Sequence, residues 1–285
     1  MKKFSLLFLI TVICYSCSSV PITGRQQLML VSDEEVLNLS LQEYNEYIKT
    51  APKSTDKTSA ALVEKVGRKI ADAVEVYYKA TGMESLLAGY SWEFNLINDS
   101  QINAFCMPGG KIVVYTGILP YTQDETGLAV VLGHEVGHAI AKHANERMSQ
   151  QIALQMGETT IGTLLNKTSP TIQTVGAVVY GLGTQVGVML PFSRKQELEA
   201  DHLGLILMAI AGYNPDMAIP FWQRMSQQGG NSIEFLSTHP SDNTRISEIQ
   251  KEIPEAWEFY NAVYGTNKKP ANNTSKPKTN ENWHF

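Results

Sequence analysis

The stretch His134-Glu135-Val136-Gly137-His138 constrains this chain more than any other. A single long helix is expected over residues 124–149, with Asp124 and Glu125 at its start. On such a helix the two histidines sit about 40° apart around the axis and about 6 Å apart along it. Two imidazoles on one face can share one Zn²⁺. Glu135 lies close to the same face. It is too near His134 to be a third ligand and well placed to hold a water. Composition alone would produce this pattern in a chain of this kind about once in a hundred. Gly133 and Gly137 are poor helix formers, which implies close packing against them or a face that must stay open.

A third ligand is found at Glu197-Leu198-Glu199-Ala200-Asp201, which opens a helix expected over 197–211. Glu197 and Asp201 share a face, while Glu199 points about 200° away from Glu197. Glu197 is therefore the expected metal ligand. Asp201 is expected to accept the free N–H of a ligating imidazole. The alternative is that the three acids are a solvated helix N-terminus. Two histidines and one glutamate leave the fourth position of a tetrahedral zinc open, the pattern of a catalytic site with one Zn²⁺ per chain. His143 lies half a turn around the helix from His134, and His202 about 140° from Glu197, so both are placed off the metal. Cys106 reads as a small apolar filler.

The rest of the 285 residues bounds the setting. A hydrophobic share of 43% supports a sizeable core, and a net charge of −5 without a basic block argues against a nucleic-acid partner. Three cysteines exclude a disulfide scaffold. Lys2 and Lys3 precede an apolar run from Phe4 to Ile13 that is too short to span a bilayer and fits a secretory signal. Residues 1–17 resemble a bacterial lipoprotein signal, with Cys17 as the lipidation site; an ordinary secretory signal is the alternative. Acylation would anchor the chain to a membrane without spanning it.

Residues 18–31 read as an extended tether, and residues 32–262 as the folded domain. Within it, helices are expected from Ser32 and over 60–79, strands over 92–97 and 111–115, and mostly helix over 215–262. Residues 168–193 carry no charge and read as a buried helical hairpin or lid, or as a membrane span. Residues 263–285 read as a disordered polar tail.

Four stretches together resemble the M48 zinc metallopeptidases, in their periplasmic or lipoprotein branch of BepA/Loi-type and Oma1-type proteases. They are Asn103-Ala104-Phe105 with Pro108-Gly109-Gly110, His134 to His143, Glu197 to Asp201, and Thr238-His239-Pro240 with Arg245. The resemblance implies a mainly helical α+β, zincin-like fold with a small sheet and an edge strand beside the motif helix. That edge strand is expected after Gly110, aligning an extended substrate by main-chain pairing. His134, His138 and Glu197 would hold zinc, and Glu135 would be the general base. Asn103 would help hold the substrate. His239 would block the metal as a fourth ligand or donate to the developing oxyanion. Arg245 would act near the substrate or latch the His239 loop.

The expected function is a zinc metalloendopeptidase acting on unfolded, misfolded or misassembled cell-envelope proteins. The expected location is the bacterial envelope, lipid-anchored and facing the periplasm. The alternative is a chaperone-like or latched zinc lipoprotein with little proteolysis.

Overall fold

The computed structural model describes residues 17–163, 193–227, 235, 239 and 243–268. The uncharged segment, apart from Ser193, lies outside these residues, as do residues 1–16 and 269–285. In chain order the elements are β1 (Cys17–Ser19), β2 (Gln26–Leu28), α1 (Asp33–Thr50), α2 (Lys57–Ala80), β3 (Glu93–Ile97), β4 (Ala104–Met107), β5 (Lys111–Tyr115), α3 (Glu125–Ile140), α4 (His143–Thr163), α5 (Arg194–Ile210), α6 (Ala218–Gln227) and α7 (Asn243–Tyr264). Short 3₁₀ and helical turns join some of them. The mainly helical α+β fold with a small sheet is thus present. No described helix is long and apolar enough to cross a membrane.

Local chemistry sets the helix ends. Ser32 and Glu35 form a reciprocal capping box on α1. Asp56 caps α2 through the amides of Thr58 and Ser59. Ser193 and Gln196 form a second capping box that fixes the first turn of α5, where Glu197 sits. One stripe of α2, with Val63, Val66, Ile70, Val74 and Tyr77, is buried against the sheet and α3.

The three-stranded sheet runs β3-β5-β4, with β3 parallel and β4 antiparallel to β5. The strand after Gly110 is therefore the centre of the sheet and not its edge. Every residue of β5 is buried, as a strand paired on both sides and covered on both faces requires. The edge beside the motif helix is β4, which pairs only through Ala104↔Val114 to Met107↔Lys111.

Two further expectations change. Residues 18–31 are not a simple extended tether: β1 and β2 pair as an antiparallel hairpin, Cys17 opposite Leu28, and Val20 beside it is buried. The helix expected over 124–149 is two helices. α3 ends at Ile140, and Lys142 adopts a left-handed φ of 57° before α4 begins at His143. Lys142 is anchored there by an ion pair to Asp33 at 2.5 Å.

Candidate metal centre

The site forms where α3 and α5 cross. Their backbones approach closely because glycine faces glycine: a Cβ on Gly133 would stand 2.8 Å from the Gly204 carbonyl oxygen, and one on Gly204 would stand 2.8 Å from the His134 amide nitrogen. Gly137 meets the Ala200 carbonyl at the same distance. The close packing implied by Gly133 and Gly137 is therefore contact with α5. It brings the first turn of α5 to the histidines of α3.

Four buried side chains converge there, from His134, His138, Glu197 and His239, each offering one donor atom within 4.8 Å of the others. His134 Nε2 lies 3.1 Å from both His138 Nε2 and His239 Nδ1. Glu197 Oε1 lies 3.3 Å from His138 Nε2 and 2.9 Å from His239 Nδ1. Glu197 Oε2 lies 3.6 Å from His134 Nε2. Donors about 2.0–2.2 Å from a tetrahedral zinc lie about 3.3–3.6 Å from one another; Glu197 meets this spacing to both His134 and His138, and the other three spacings are 0.2–0.4 Å shorter, so the cluster is of the size that holds zinc. Two buried carboxylate oxygens support the same reading. Glu135 Oε1 and Glu197 Oε2 make no hydrogen bond among the described residues, although His239 Nε2 lies 3.6 Å from the former and Arg245 Nη1 3.2 Å from the latter. Such atoms are costly unless a cation or proton meets them.

The surroundings set protonation. Burial takes the His134 imidazolium down to about 4, helped by Arg245 and opposed by Asp201. Burial takes His138 well below the ordinary histidine value. Burial pushes the Glu197 carboxyl up, but His239, His138 and Arg245 more than reverse this and hold it well below the ordinary range. Neutral imidazoles and an ionised carboxylate are the forms that bind metal. Burial raises Glu135 to about 7, with His239 opposing. Burial alone would lower His239, but Glu197 and Glu135 raise it above the ordinary value.

Asp201 takes the place expected of it: its Oδ1 lies 2.9 Å from His134 Nδ1. It also receives Arg245 in a two-pronged contact, Nε to Oδ2 and Nη2 to Oδ1, both 2.7 Å. Arg245 Nη1 donates to the His239 carbonyl at 3.3 Å, and its guanidinium lies 3.4 Å over the Trp222 ring. Arg245 thus joins Asp201, His239 and Trp222. Trp222 stacks on Phe235 with ring centroids 5.9 Å apart, and Phe235 contacts His239 at 4.8 Å, giving the His239 ring an apolar wall.

Asn103 immediately precedes β4, and its Oδ1 accepts the Ala104 N–H at 2.9 Å. Cys106 lies in β4, outside the cluster. Burial pushes its thiol up, so it stays protonated, as a filler should. His202 pairs with Glu252 at 2.9 Å, away from the cluster. His143 is also outside the cluster, yet its Nδ1 lies 2.7 Å from His138 Nδ1. Sequence reading missed this contact because it assumed an unbroken helix. There, His143 would lie about 140° around and about 7.5 Å along from His138. The turn at Lys142 brings it back.

The chain is similar in sequence to known proteins. The family model "Peptidase family M48" matches residues 60–253. The mitochondrial metalloendopeptidase OMA1 of Schizosaccharomyces pombe is 38% identical over 179 residues, covering 62% of this chain and 50% of that protein. The Saccharomyces cerevisiae protein of the same name is 31% identical over 250 residues, covering 84% and 70%. The beta-barrel assembly-enhancing protease of Escherichia coli is 30% identical over 166 residues, covering 56% and 34%. The chain thus spans about half the length of the first of these relatives. The similar metalloendopeptidases from yeasts, a plant and animals are mitochondrial by name. They overturn the lipid-anchored, periplasm-facing location in a bacterial envelope that was read from the N-terminus, and with it the anchor expected at Cys17.

Proposed function

The chain belongs to peptidase family M48, and from that premise we propose that it is a zinc-dependent metalloendopeptidase whose substrates are misfolded or misassembled proteins. The observation that carries the reaction type is the buried convergence of His134, His138 and Glu197 beside a buried Glu135 oxygen. The substrate class draws on the name of one relative, a protease that enhances β-barrel assembly.

The residues fit zinc, with His134, His138 and Glu197 as its ligands. When bound there, zinc supplies Lewis-acid polarisation of the scissile carbonyl and acidifies water. Glu135 acts as general base: it takes the proton of the attacking water and delivers it to the leaving amine. Burial raises the Glu135 carboxyl above the ordinary range, the direction that favours holding a proton before delivering it. Asp201 holds the His134 ring by its Nδ1–H and directs the other nitrogen to the centre. Among the described residues no strand pairs the outer edge of β4, which can offer main-chain groups for pairing an extended peptide, and Asn103 sits at its start.

A second reading has its own observation. His239 Nδ1 lies within hydrogen-bond distance of both His134 Nε2 and Glu197 Oε1, so it occupies the fourth donor position. This is a latched form, held by Arg245 through the His239 carbonyl, in which water and substrate are kept out. Proteolysis then requires the His239 side chain to leave that position.

Removal and return of metal test the main reading. A chelator should abolish cleavage of casein, and zinc should restore it; cleavage that survives complete removal of metal contradicts it. His239→Ala separates the two readings. Faster cleavage by this variant marks a latch, whereas slower cleavage at equal zinc marks a group that assists the reaction.

A further inference from the structure

The back of His138 is connected to the N-terminal hairpin by an unbroken chain of contacts. His138 Nδ1 meets His143 Nδ1 at 2.7 Å, and His143 Nε2 meets Glu199 Oε2 at 2.9 Å. Glu199 is held in turn by the turn between β1 and β2: Arg25 Nε donates to its Oε2 at 2.6 Å, and the Thr23 hydroxyl donates to its Oε1. The other edge of the Arg25 guanidinium donates to both oxygens of Glu146 on α4, at 2.8 and 2.7 Å, and Gln196 donates to the same carboxylate at 2.7 Å. The side chains of Arg25, Glu146 and Glu199 are 12%, 7% and 5% exposed, so the network is almost dry.

The donor inventory orders the protons along it. An ionised Glu199 accepts only. It therefore takes the Nε2–H of His143, which leaves His143 Nδ1 as a lone pair in the neutral ring. At 2.7 Å that lone pair requires the hydrogen on His138 Nδ1. His138 Nε2, the atom facing the cluster, is then left as a lone pair, the form a metal needs. The opposite arrangement, with His143 Nδ1 donating, would put the hydrogen of His138 on Nε2 and aim it at the centre.

We infer that Arg25, Glu199 and His143 are positioning residues that fix the ring and tautomer of His138, and that the N-terminal hairpin thereby sets the metal affinity. This rests on the reading of the cluster as a zinc site. It gives the hairpin a part in the metal site, to which none of its residues supplies a ligand.

The test uses the full chain and zinc alone. Zinc affinity is measured by competition with a chromophoric chelator for wild type, His143→Leu, His143→Asn and Arg25→Leu, with folding followed by circular dichroism. Asparagine can keep an acceptor oxygen near the position of Nδ1, while leucine keeps bulk without one. The account expects His143→Leu to bind zinc about 10–100-fold more weakly, His143→Asn to recover most of that loss, and Arg25→Leu to be weakened in the same direction. The ¹⁵N shifts of zinc-loaded wild type should show His138 protonated at Nδ1. Folded His143→Leu with wild-type affinity overturns the inference, as do equal losses in His143→Leu and His143→Asn, which would mark a packing role. If His143→Leu does not fold, wild-type affinity in Arg25→Leu overturns the part assigned to the hairpin, and a His138 proton on Nε2 overturns the relay. Failure of wild type to bind zinc removes the metal reading itself and the inference with it.

Discussion

Glu197 and Glu199 are two residues apart and do opposite things. Glu197 faces the cluster, while Glu199 faces the hairpin and His143, as a separation of about 200° demands. Substituting Glu197→Gln should therefore remove zinc more severely than the ~10–100-fold typical of groups behind a ligand; zinc content of the purified variant checks this. Asp201 is a different case, because it is the partner of a buried cation. Asp201→Leu takes from Arg245 its two shortest ion-pair contacts and leaves it Glu197 at 3.2 Å; breaking a buried pair in this way should destabilise the fold by about 3 kcal/mol, read as a lower urea midpoint at unchanged slope. The convergence of His134, His138, Glu197 and Asp201 was legible in sequence because which residues share a face follows from helical angle. The contact of His143 with His138 was not, because it depends on the left-handed turn at Lys142, and lysine carries no signal for such a turn.

At the scale of elements, the crossing of α3 and α5 determines whether a site exists. A methyl group at Gly204 would meet the backbone of His134, so Gly204→Ala must push the helices apart. A cost of about 1–3 kcal/mol is expected, together with weaker zinc binding, because Glu197 and the histidines sit on opposite sides of that contact. Thermal melts with and without zinc measure both effects. The start of α3 is tied to α2 by charge. Lys65 donates to Glu125 and, with Tyr213 and Lys69, outweighs the effect of burial, taking its carboxyl from the ordinary 4.5 down to about 2. A depressed carboxyl stabilises above its unfolded value and loses that contribution as pH falls from about 4.5 to about 2. Wild type should thus lose more stability across that window than Glu125→Gln; parallel losses would show that the tie contributes nothing. The edge strand was misplaced for a related reason. Both β4 and β5 are short and apolar, and only the pairing order decides which of them is flanked on both sides.

For the whole molecule, metal and fold are linked. A ligand that binds only the native state raises stability by RT ln(1 + [L]/Kd), about 4 kcal/mol at a thousandfold excess over Kd. Chelation should therefore lower the melting temperature of wild type and of Glu135→Gln alike, and leave that of Glu197→Gln nearly unchanged. The location was read from a short apolar run with a cysteine, which is a compositional signal, and the mitochondrial relatives overturn it. The metal motif fared better because it is a geometric signal that a folded helix must honour.

The central claim is peptide hydrolysis at a zinc site with Glu135 as its base. The most direct measurement is casein cleavage by wild type beside Glu135→Gln, with zinc quantified in both. Equal zinc, cleavage by wild type and a loss of about 10²–10⁴-fold in the variant are expected. Cleavage by Glu135→Gln at the wild-type rate and equal zinc would contradict it.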